Sequence, residues 1–436
     1  MPLPSPCVAE IDSKPTYLHE SARDWTELAV TRLLVTPLFV EAEGRSTTSK
    51  LIDTCERLTD LSWRIAVSSS ARWSDGSPLR SDEIAAQIHN ARTAKAAPLV
   101  PALTIDRMQV LSSTELLVHT RFPIAHLDRV LANPGLAPHD QLSQRSTNRY
   151  VLKEALPTSM VLRCVGRGSD IDLTWNASDA APIGRRNRAH IKGPTVFTSA
   201  GDFLPNEPTP TQVVPLDLLF CLFLPQWISH DDLVQIHNHL DRSCLGDVTQ
   251  NAVIPRWRMT ATWDSEPSIH RISAAKTLEI GGRQRPHILY YANFPANREV
   301  ATYVSAALTA LCGINVTQTL CDYEQIISKA IFPFFDAFFV SPVAAPWPHP
   351  ASLLSPFYFG KRSSSTFESL FLKSLSRPDL ESAIHFAKQA ENVLVSAGSR
   401  VLPLGQIRGT LSSQIGLPYF PPSGWVDYSE VTTDRN

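Results

Sequence analysis

The sequence predicts a mixed α/β protein built as more than one lobe, and three observations carry that reading. The chain has 436 residues, more than a single hydrophobic core serves, which suits two or three domains. From His287 onward, strand candidates alternate with helix candidates, an order that argues for a mixed sheet in a lobe of its own. Earlier, Arg72–Ile84 compresses a strand end, a tight turn and a helix start into one short stretch.

The elements follow in chain order. Val8–Ile11 is a short strand candidate. Asp24–Leu38 reads as a helix, with Trp25, Leu28, Ala29, Arg32 and Leu33 near one face and Pro37 ending it. Ser62–Val67 alternates as a strand. In the joint that follows, Asp75-Gly76 makes the turn, because Gly takes positive φ without a Cβ clash. Pro78 keeps its predecessor extended. Ser81 then offers a capping hydroxyl, and Asp82 and Glu83 meet the positive end of a helix over Asp82–Lys95. Ile105–Val110 and Glu115–Thr120 form a hairpin around Ser112-Ser113. Pro123–Leu131 is a short helix, and Val151–Leu152 with Met160–Val165 a second hairpin.

Asp170–Pro210 is polar, with a basic cluster (Arg185, Arg186, Arg188) that reads as a solvated loop rather than a phosphate or nucleic-acid site. Val213–Leu224 is apolar with β character. Ser229 caps a helix to Leu240, with Asp231 and Asp232 in its first turn. Ile288–Tyr291 is a strand, and Ala296–Leu311 a helix stopped by Gly313. Ile314–Val316 (strand), Tyr323–Ala330 (helix) and Phe335–Val340 (buried strand) follow. Glu381–Val395 is an amphipathic helix and Val401–Leu404 a strand. Leu417–Tyr428, with Trp425, ends the chain.

Composition narrows the function classes. Hydrophobic content of 43% with 19% charged residues is globular. A formal charge of −2 gives no general attraction to nucleic acid or anionic membrane. Thirty-four prolines against eighteen glycines indicate many fixed connections. The seven cysteines (Cys7, Cys55, Cys164, Cys221, Cys244, Cys312, Cys321) form no CxxC pair, which excludes a zinc ribbon or thioredoxin-type site, and each reads as a buried free thiol rather than half of a disulfide. Met1–Pro6 has no basic start and leads into no apolar run of secretory length, and no stretch has transmembrane length. As written, the chain reads as cytoplasmic; a truncated N-terminus would make it periplasmic or extracellular.

From Trp73 to Leu79, Trp-Ser-Asp-Gly-Ser-Pro-Leu resembles the signature of the family 5 extracellular solute-binding proteins, the peptide- and nickel-binding components of ABC importers. Looser correspondences are Pro37-Leu38-Phe39, the helix end His239-Leu240-Asp241-Arg242 and the returning strand Val401–Leu404. The resemblance implies an α/β, two-lobed periplasmic-binding-protein-like fold, of type II in its large family 5 form, with a ligand cleft between the lobes. It also implies a division: residues 1–40, 170–280 and 397–436 as a discontinuous first lobe, 41–169 as a small subdomain carrying the Trp-Ser-Asp-Gly turn, and 281–396 as the second lobe. Within the wider group the chain looks closest to the solute-binding effector half of cytoplasmic transcription regulators, although too few residues precede the fold for a winged DNA-binding domain.

The function so implied is capture or sensing of a small ligand, peptide-like or another metabolite, by hinge closure. The protein is then a monomer with no catalytic residues, cofactor or metal, no nucleic acid of its own and no membrane insertion. An ABC permease is its partner if it is exported. Two alternatives stay open: a cytoplasmic enzyme or accessory protein on the same scaffold in a specialised biosynthetic pathway, and a ligand-sensing module of a regulator lacking its DNA-binding domain. No G-x-S-x-G, H-E-x-x-H, Walker or G-x-G-x-x-G motif is present. His230, His237 and His239 do not make a metal site, because the last two point to different helix faces.

The ligand-contact candidates are Tyr17, His19, Trp347, His349 and Arg408. Tyr17 and His19 lie in a loop that faces the cleft in this family. Trp347 either stacks on a ligand or packs in its Pro-rich turn, and His349 is either a cleft group or a surface residue. Arg408 pairs with a ligand carboxylate or a structural acid. Ser341–Pro350 follows the strand where the family commonly places an Asp for a peptide's amino group, yet holds no acid. A ligand with a free α-amino group would lack its counter-charge there.

Overall fold

A computed structural model describes residues 7–10, 15, 18, 22, 25–94, 97–140, 145–148, 150–156, 159–165, 170–174, 195–200, 211–263, 287–292, 294, 296–321, 337–360, 364–413 and 419–425. Tyr17, His19, the Arg185–Arg188 cluster and the helix expected over Tyr323–Ala330 lie outside the described residues.

The strands Thr211–Phe223 and Val401–Ser413 are the two longest, and the architecture is organised by them. They pair antiparallel with each other, from Thr211↔Ser412 to Phe223↔Val401. Leu218–Phe223 also pairs with Phe338–Ala344, while Gly409–Ser413 pairs with Thr195–Ala200. The two strands thereby join both halves of an 11-stranded sheet. On one side lie Phe338–Ala344, His287–Ala292 and Val316–Cys321; on the other lie Thr195–Ala200, Cys7–Glu10, Ile171–Thr174, Ser159–Cys164 and Tyr150–Ala155. Val253–Pro255 pairs with the flank of Val401–Ser413.

The period-2 alternation of a strand explains how Thr211–Phe223 serves two cores at once. Leu218, Phe220 and Leu222 face a core shared with helices Trp25–Leu34, His230–His239 and Asn297–Cys312. Leu219 and Cys221 face a second core. That core contains Trp63 and Ile65 of Ser62–Val67, Ile84 and Ile88 of helix Ser81–Thr93, and Trp347. It also takes Phe367 and Phe371 of helix Ser365–Ser376 and Ala387 and Ala390 of helix Leu380–Ser396. A separate four-stranded sheet, in the order Ile52–Thr59, Ser62–Val67, Glu115–Thr120, Ile105–Val110, includes the expected hairpin.

Several expected boundaries move. The first helix stops at Leu34, and Leu127–Val130 is all that forms of the helix expected over Pro123–Leu131. Ser81 is inside its helix rather than the cap. The Glu83 carboxylate instead accepts the Arg80 N–H at 2.8 Å and the Trp73 indole N–H at 3.0 Å, while Ser81 donates to the Ser112 carbonyl. Strand Phe338–Ala344 runs through Pro342, so Ser341–Ala344 is strand and the loop begins at Ala345. Gly313 ends its helix at φ +64°, as expected of a residue without a Cβ. Cys55, Cys164, Cys221, Cys244, Cys312 and Cys321 are not in disulfides; Cys221 and Cys312 are buried as expected, whereas Cys55, Cys164 and Cys321 are half-buried and Cys244 is exposed. Among the described residues no helix is long and apolar enough to cross a membrane, and no cluster of three metal-ligating side chains occurs.

Candidate functional site

Five separate segments bring polar side chains together beside the crossing strand. Val40–Glu41 and Thr47–Thr48 pair as a small ribbon. Its turn places Gly44 at φ +69° and Arg45 at φ +63°. Gly44 adopts that conformation freely, whereas for Arg45 it costs about 1 kcal/mol or more. The Arg45 guanidinium meets both carboxylate oxygens of Asp217, donates to Glu41 Oε1 at 3.0 Å and lies 4.1 Å from the centre of the Trp263 ring.

Asp217 lies in the part of Thr211–Phe223 where the register with Val401–Ser413 shifts, between Pro215 and Leu219. There its N–H reaches Pro422 O at 2.7 Å and its carbonyl accepts the Ala345 N–H at 2.8 Å. Glu41 accepts the Ser423 N–H at 3.2 Å, and the Tyr419 hydroxyl donates to Ala42 O at 3.2 Å. One ion-paired centre therefore touches the crossing strand, the ribbon, the start of the 345–350 loop and the chain's 419–423 segment.

Charge is unevenly compensated here. Burial, together with the Asp217 charge, pushes the Glu41 carboxyl above its usual range. Burial works against the Arg45 cation, yet Asp217 and Glu41 outweigh it and hold the guanidinium charged. The half-buried Arg129 guanidinium lies 5.9 Å from the centre of the same Trp263 ring. Burial lowers its proton affinity, as does the Arg45 charge.

The 345–350 loop closes the arrangement. Asn133 is fully buried, donates its amide to Pro346 O at 2.7 Å and accepts the Gly135 N–H at 2.8 Å. Trp347 is 1% exposed, and its N–H donates to Ser352 Oγ at 3.1 Å. His349 is buried, with Nδ1 accepting the Ala351 N–H at 3.1 Å. Burial, then Arg129 and His126, press its pKa down to about 3, so the ring is neutral at physiological pH.

Of the sequence candidates, the structure thus places Trp347 and His349 in one loop against the second core. Arg408 sits elsewhere, on Val401–Ser413 opposite Pro215. Its N–H donates to Ala252 O at 2.9 Å and its guanidinium to Asn251 O at 3.2 Å. Glu41, Arg45, Arg129, Asn133, Asp217 and Trp263 were not singled out from sequence. For one of them a signal exists: Asp217 interrupts an otherwise apolar strand, and a buried acid requires a partner.

No protein-family model and no curated protein matches the sequence. Solved structures do match. The Escherichia coli murein tripeptide binding protein MppA superposes with TM-score 0.77 at 15% identity, over 97% of this chain and 96% of that one. A periplasmic oligopeptide-binding protein of Borrelia burgdorferi, OppAIV, gives TM-score 0.77 at 13% identity, over 97% and 98%. NikA from Staphylococcus aureus, in complex with Ni(L-His)2, gives 0.75 at 13%, over 98% and 99%. At such identities the likeness speaks for architecture, and nearly end to end this chain has the two-lobed fold of the family 5 periplasmic solute-binding proteins.

Proposed function

We propose that the protein captures or senses a small solute, peptide-like or another metabolite, by closing two lobes about the crossing strands Thr211–Phe223 and Val401–Ser413. The observation that carries this is the pairing of those strands with sheet partners on both sides, which gives two halves a shared hinge. The structural neighbours support it, because their names report binding of a murein tripeptide, oligopeptides and a nickel–histidine complex. In this reading residues 1–40, 170–280 and 397–436 form one lobe, 41–169 a subdomain and 281–396 the other lobe. An exported form would hand its solute to an ABC permease.

The Ser341–Pro350 segment contains no acid, so the favoured solute has no free α-amino group to be neutralised there. The test is a thermal-shift screen of peptides and metabolites, followed by small-angle scattering of the protein with each hit. A true ligand at a hundredfold excess over Kd stabilises by about 2.7 kcal/mol and contracts the protein. A hit that leaves the radius of gyration unchanged removes hinge closure, and a hit that is chemically consumed makes the protein an enzyme.

A further inference from the structure

The crossing strands lose their mutual pairing where the halves of the sheet meet. Pro215 lies opposite Arg408 and Leu219 opposite Gln406, so Leu216, Asp217 and Leu218 stand against Ile407 alone. Leu218 still pairs with Ala344 and Ile407 with Val253, whereas Leu216 and Asp217 pair with no strand among the described residues. Past Arg408, Val401–Ser413 takes Thr195–Ala200 as its second partner; from Leu218 onward, Thr211–Phe223 takes Phe338–Ala344. The interruption therefore separates the two sets of partners, and backbone torsions can change there with least loss of ladder hydrogen bonds.

A buried side chain ties this stretch down. Gln406 is 1% exposed and donates from Nε2 to the Leu216 carbonyl at 2.9 Å. Its Oε1 accepts Arg256 Nε at 3.1 Å and Nη2 at 2.9 Å. These partners fix the amide's orientation, since a guanidinium only donates and a carbonyl only accepts. Arg256 follows directly on Val253–Pro255, and its backbone N–H donates to Leu404 O at 3.0 Å. Gln406 thus bonds the interrupted strand on one side and the extension of a third strand on the other. We propose that Gln406 is the positioning residue of the hinge: its amide holds Leu216 in the conformer described here, and the bond to Leu216 O is lost when the halves move. The inference rests on the hinge-closure reading above and assigns the residue that sets its equilibrium. A bond made in one conformer and lost in the other shifts their populations by its net worth.

The test uses the full chain with spin labels on unnatural amino acids at Glu154 and Thr319, exposed positions on the outermost strands of the two halves. Native cysteines then stay unlabelled. Label-to-label distances and melting temperature are read for wild type, Gln406→Glu, Gln406→Leu and a control, Ser374→Ala. The control deletes a buried bond to Ala383 O between two helices of the second core. Gln406→Glu keeps an acceptor for Arg256 and removes the donor to Leu216 O, so it separates the two contacts. Both Gln406 variants should raise the share of distances other than the principal wild-type one about fivefold. Ser374→Ala should melt lower with its distances unchanged.

Gln406 variants that melt low yet keep the wild-type distances would make Gln406 structural and overturn the proposal. So would a shift in Gln406→Leu alone, which would move the role to the support of Arg256, or an equal shift in Ser374→Ala. A final arm adds an N-acetyl tripeptide library. If it changes the wild-type distances while Gln406→Glu and Gln406→Leu match wild type with and without it, hinge closure stands and Gln406 does not govern it. Distances that are the same in every variant and with the library remove hinge closure for peptides, and the role of Gln406 with it.

Discussion

Arg45 grips Asp217 with both arms of its guanidinium across 172 positions of chain, one contact measuring 2.9 Å from Nη2 to Oδ1. The Asp217 side chain is 2% exposed and that of Arg45 17%. The pair fastens the Val40–Thr48 ribbon to the crossing strand at the place where that strand changes register, so it lies where hinge movement would be transmitted.

Removing one partner strands the other as a buried, uncompensated charge. Asp217→Ala is therefore expected to cost about 3–5 kcal/mol, and Arg45→Met with Asp217→Leu together much less than the two single changes summed. Urea unfolding of the three variants at pH 7 measures this. A single-variant cost below about 1 kcal/mol would mean that the pair is effectively solvated.

His349 gives the stability a direction with pH. Its folded pKa, about 3, lies below the ordinary histidine value of 6.5, so the unfolded chain takes up the proton first. The neutral ring's contribution is complete above pH 6.5 and is lost as pH falls toward 3. By pH 4 the loss approaches about 3 kcal/mol. His237, with its pKa pressed to about 4 mainly by burial, adds loss in the same sense. Melting curves from pH 7 to pH 4 should fall less steeply for His349→Phe than for wild type; parallel slopes would show that His349 does not carry the effect.

Glu41 acts in the opposite sense. Its carboxyl holds a proton more tightly when folded, because burial and Asp217 disfavour its charge. The resulting cost is full where Glu41 is ionised in both states and disappears below its ordinary value of 4.5. Glu41→Gln, which keeps one oxygen to accept from Arg45 and gives up only the 3.2 Å contact from the Ser423 N–H, should be at least as stable as wild type at pH 7. The difference should close by pH 4. A variant much weaker at pH 7 would show that the Arg45–Glu41 attraction outweighs the burial cost.

The elements read best from sequence were those with local causes. The Asp75-Gly76 turn, the Ser112-Ser113 hairpin and the Ser229 cap, which accepts the Asp232 N–H, are each set by residues a few positions apart. Helix Ser365–Ser376 and strand Ile52–Thr59 passed unread, the strand because its side chains are mostly exposed and lack a clear apolar alternation. The polar centre was nearly invisible for a different reason. Glu41, Asp217 and Arg129 acquire their roles from contacts across the folded chain, and an Arg at positive φ leaves no mark in a spacing pattern. Trp347 and His349 stand two residues apart in a Pro-rich stretch that the sequence shows, but their burial is a tertiary fact.

Gly405 and Gly409 show how closely Val401–Ser413 is approached. A Cβ at Gly405 would lie 2.9 Å from the Ile254 carbonyl oxygen and 2.4 Å from Val253 Cγ1. The first of these is backbone and cannot rotate away. Gly405→Ala should push Val253–Pro255 off its neighbour and cost about 1–3 kcal/mol. Thermal unfolding reads the cost, and an unchanged melting temperature would mean that the short strand yields freely.

Asn133 couples two of the segments that build the second core. Residues 125–133 reach 346–378 through Ala125 N to Leu375 O (2.8 Å), His126 Nε2 with Pro378 O (2.9 Å) and Asn133 Nδ2 to Pro346 O (2.7 Å). Of these three, only the Asn133 contact is wholly buried, so its loss is the one water cannot repair. Asn133→Ala leaves the Pro346 carbonyl without that donor and the Gly135 N–H without its side-chain acceptor, for about 1–3 kcal/mol. The weakening should be regional: the Ala125 amide, bonded across the same contact, should exchange with deuterium faster, while amides of Asn297–Cys312 in the first core keep their protection. Equal acceleration in both cores would show that Asn133 supports the fold as a whole rather than this junction.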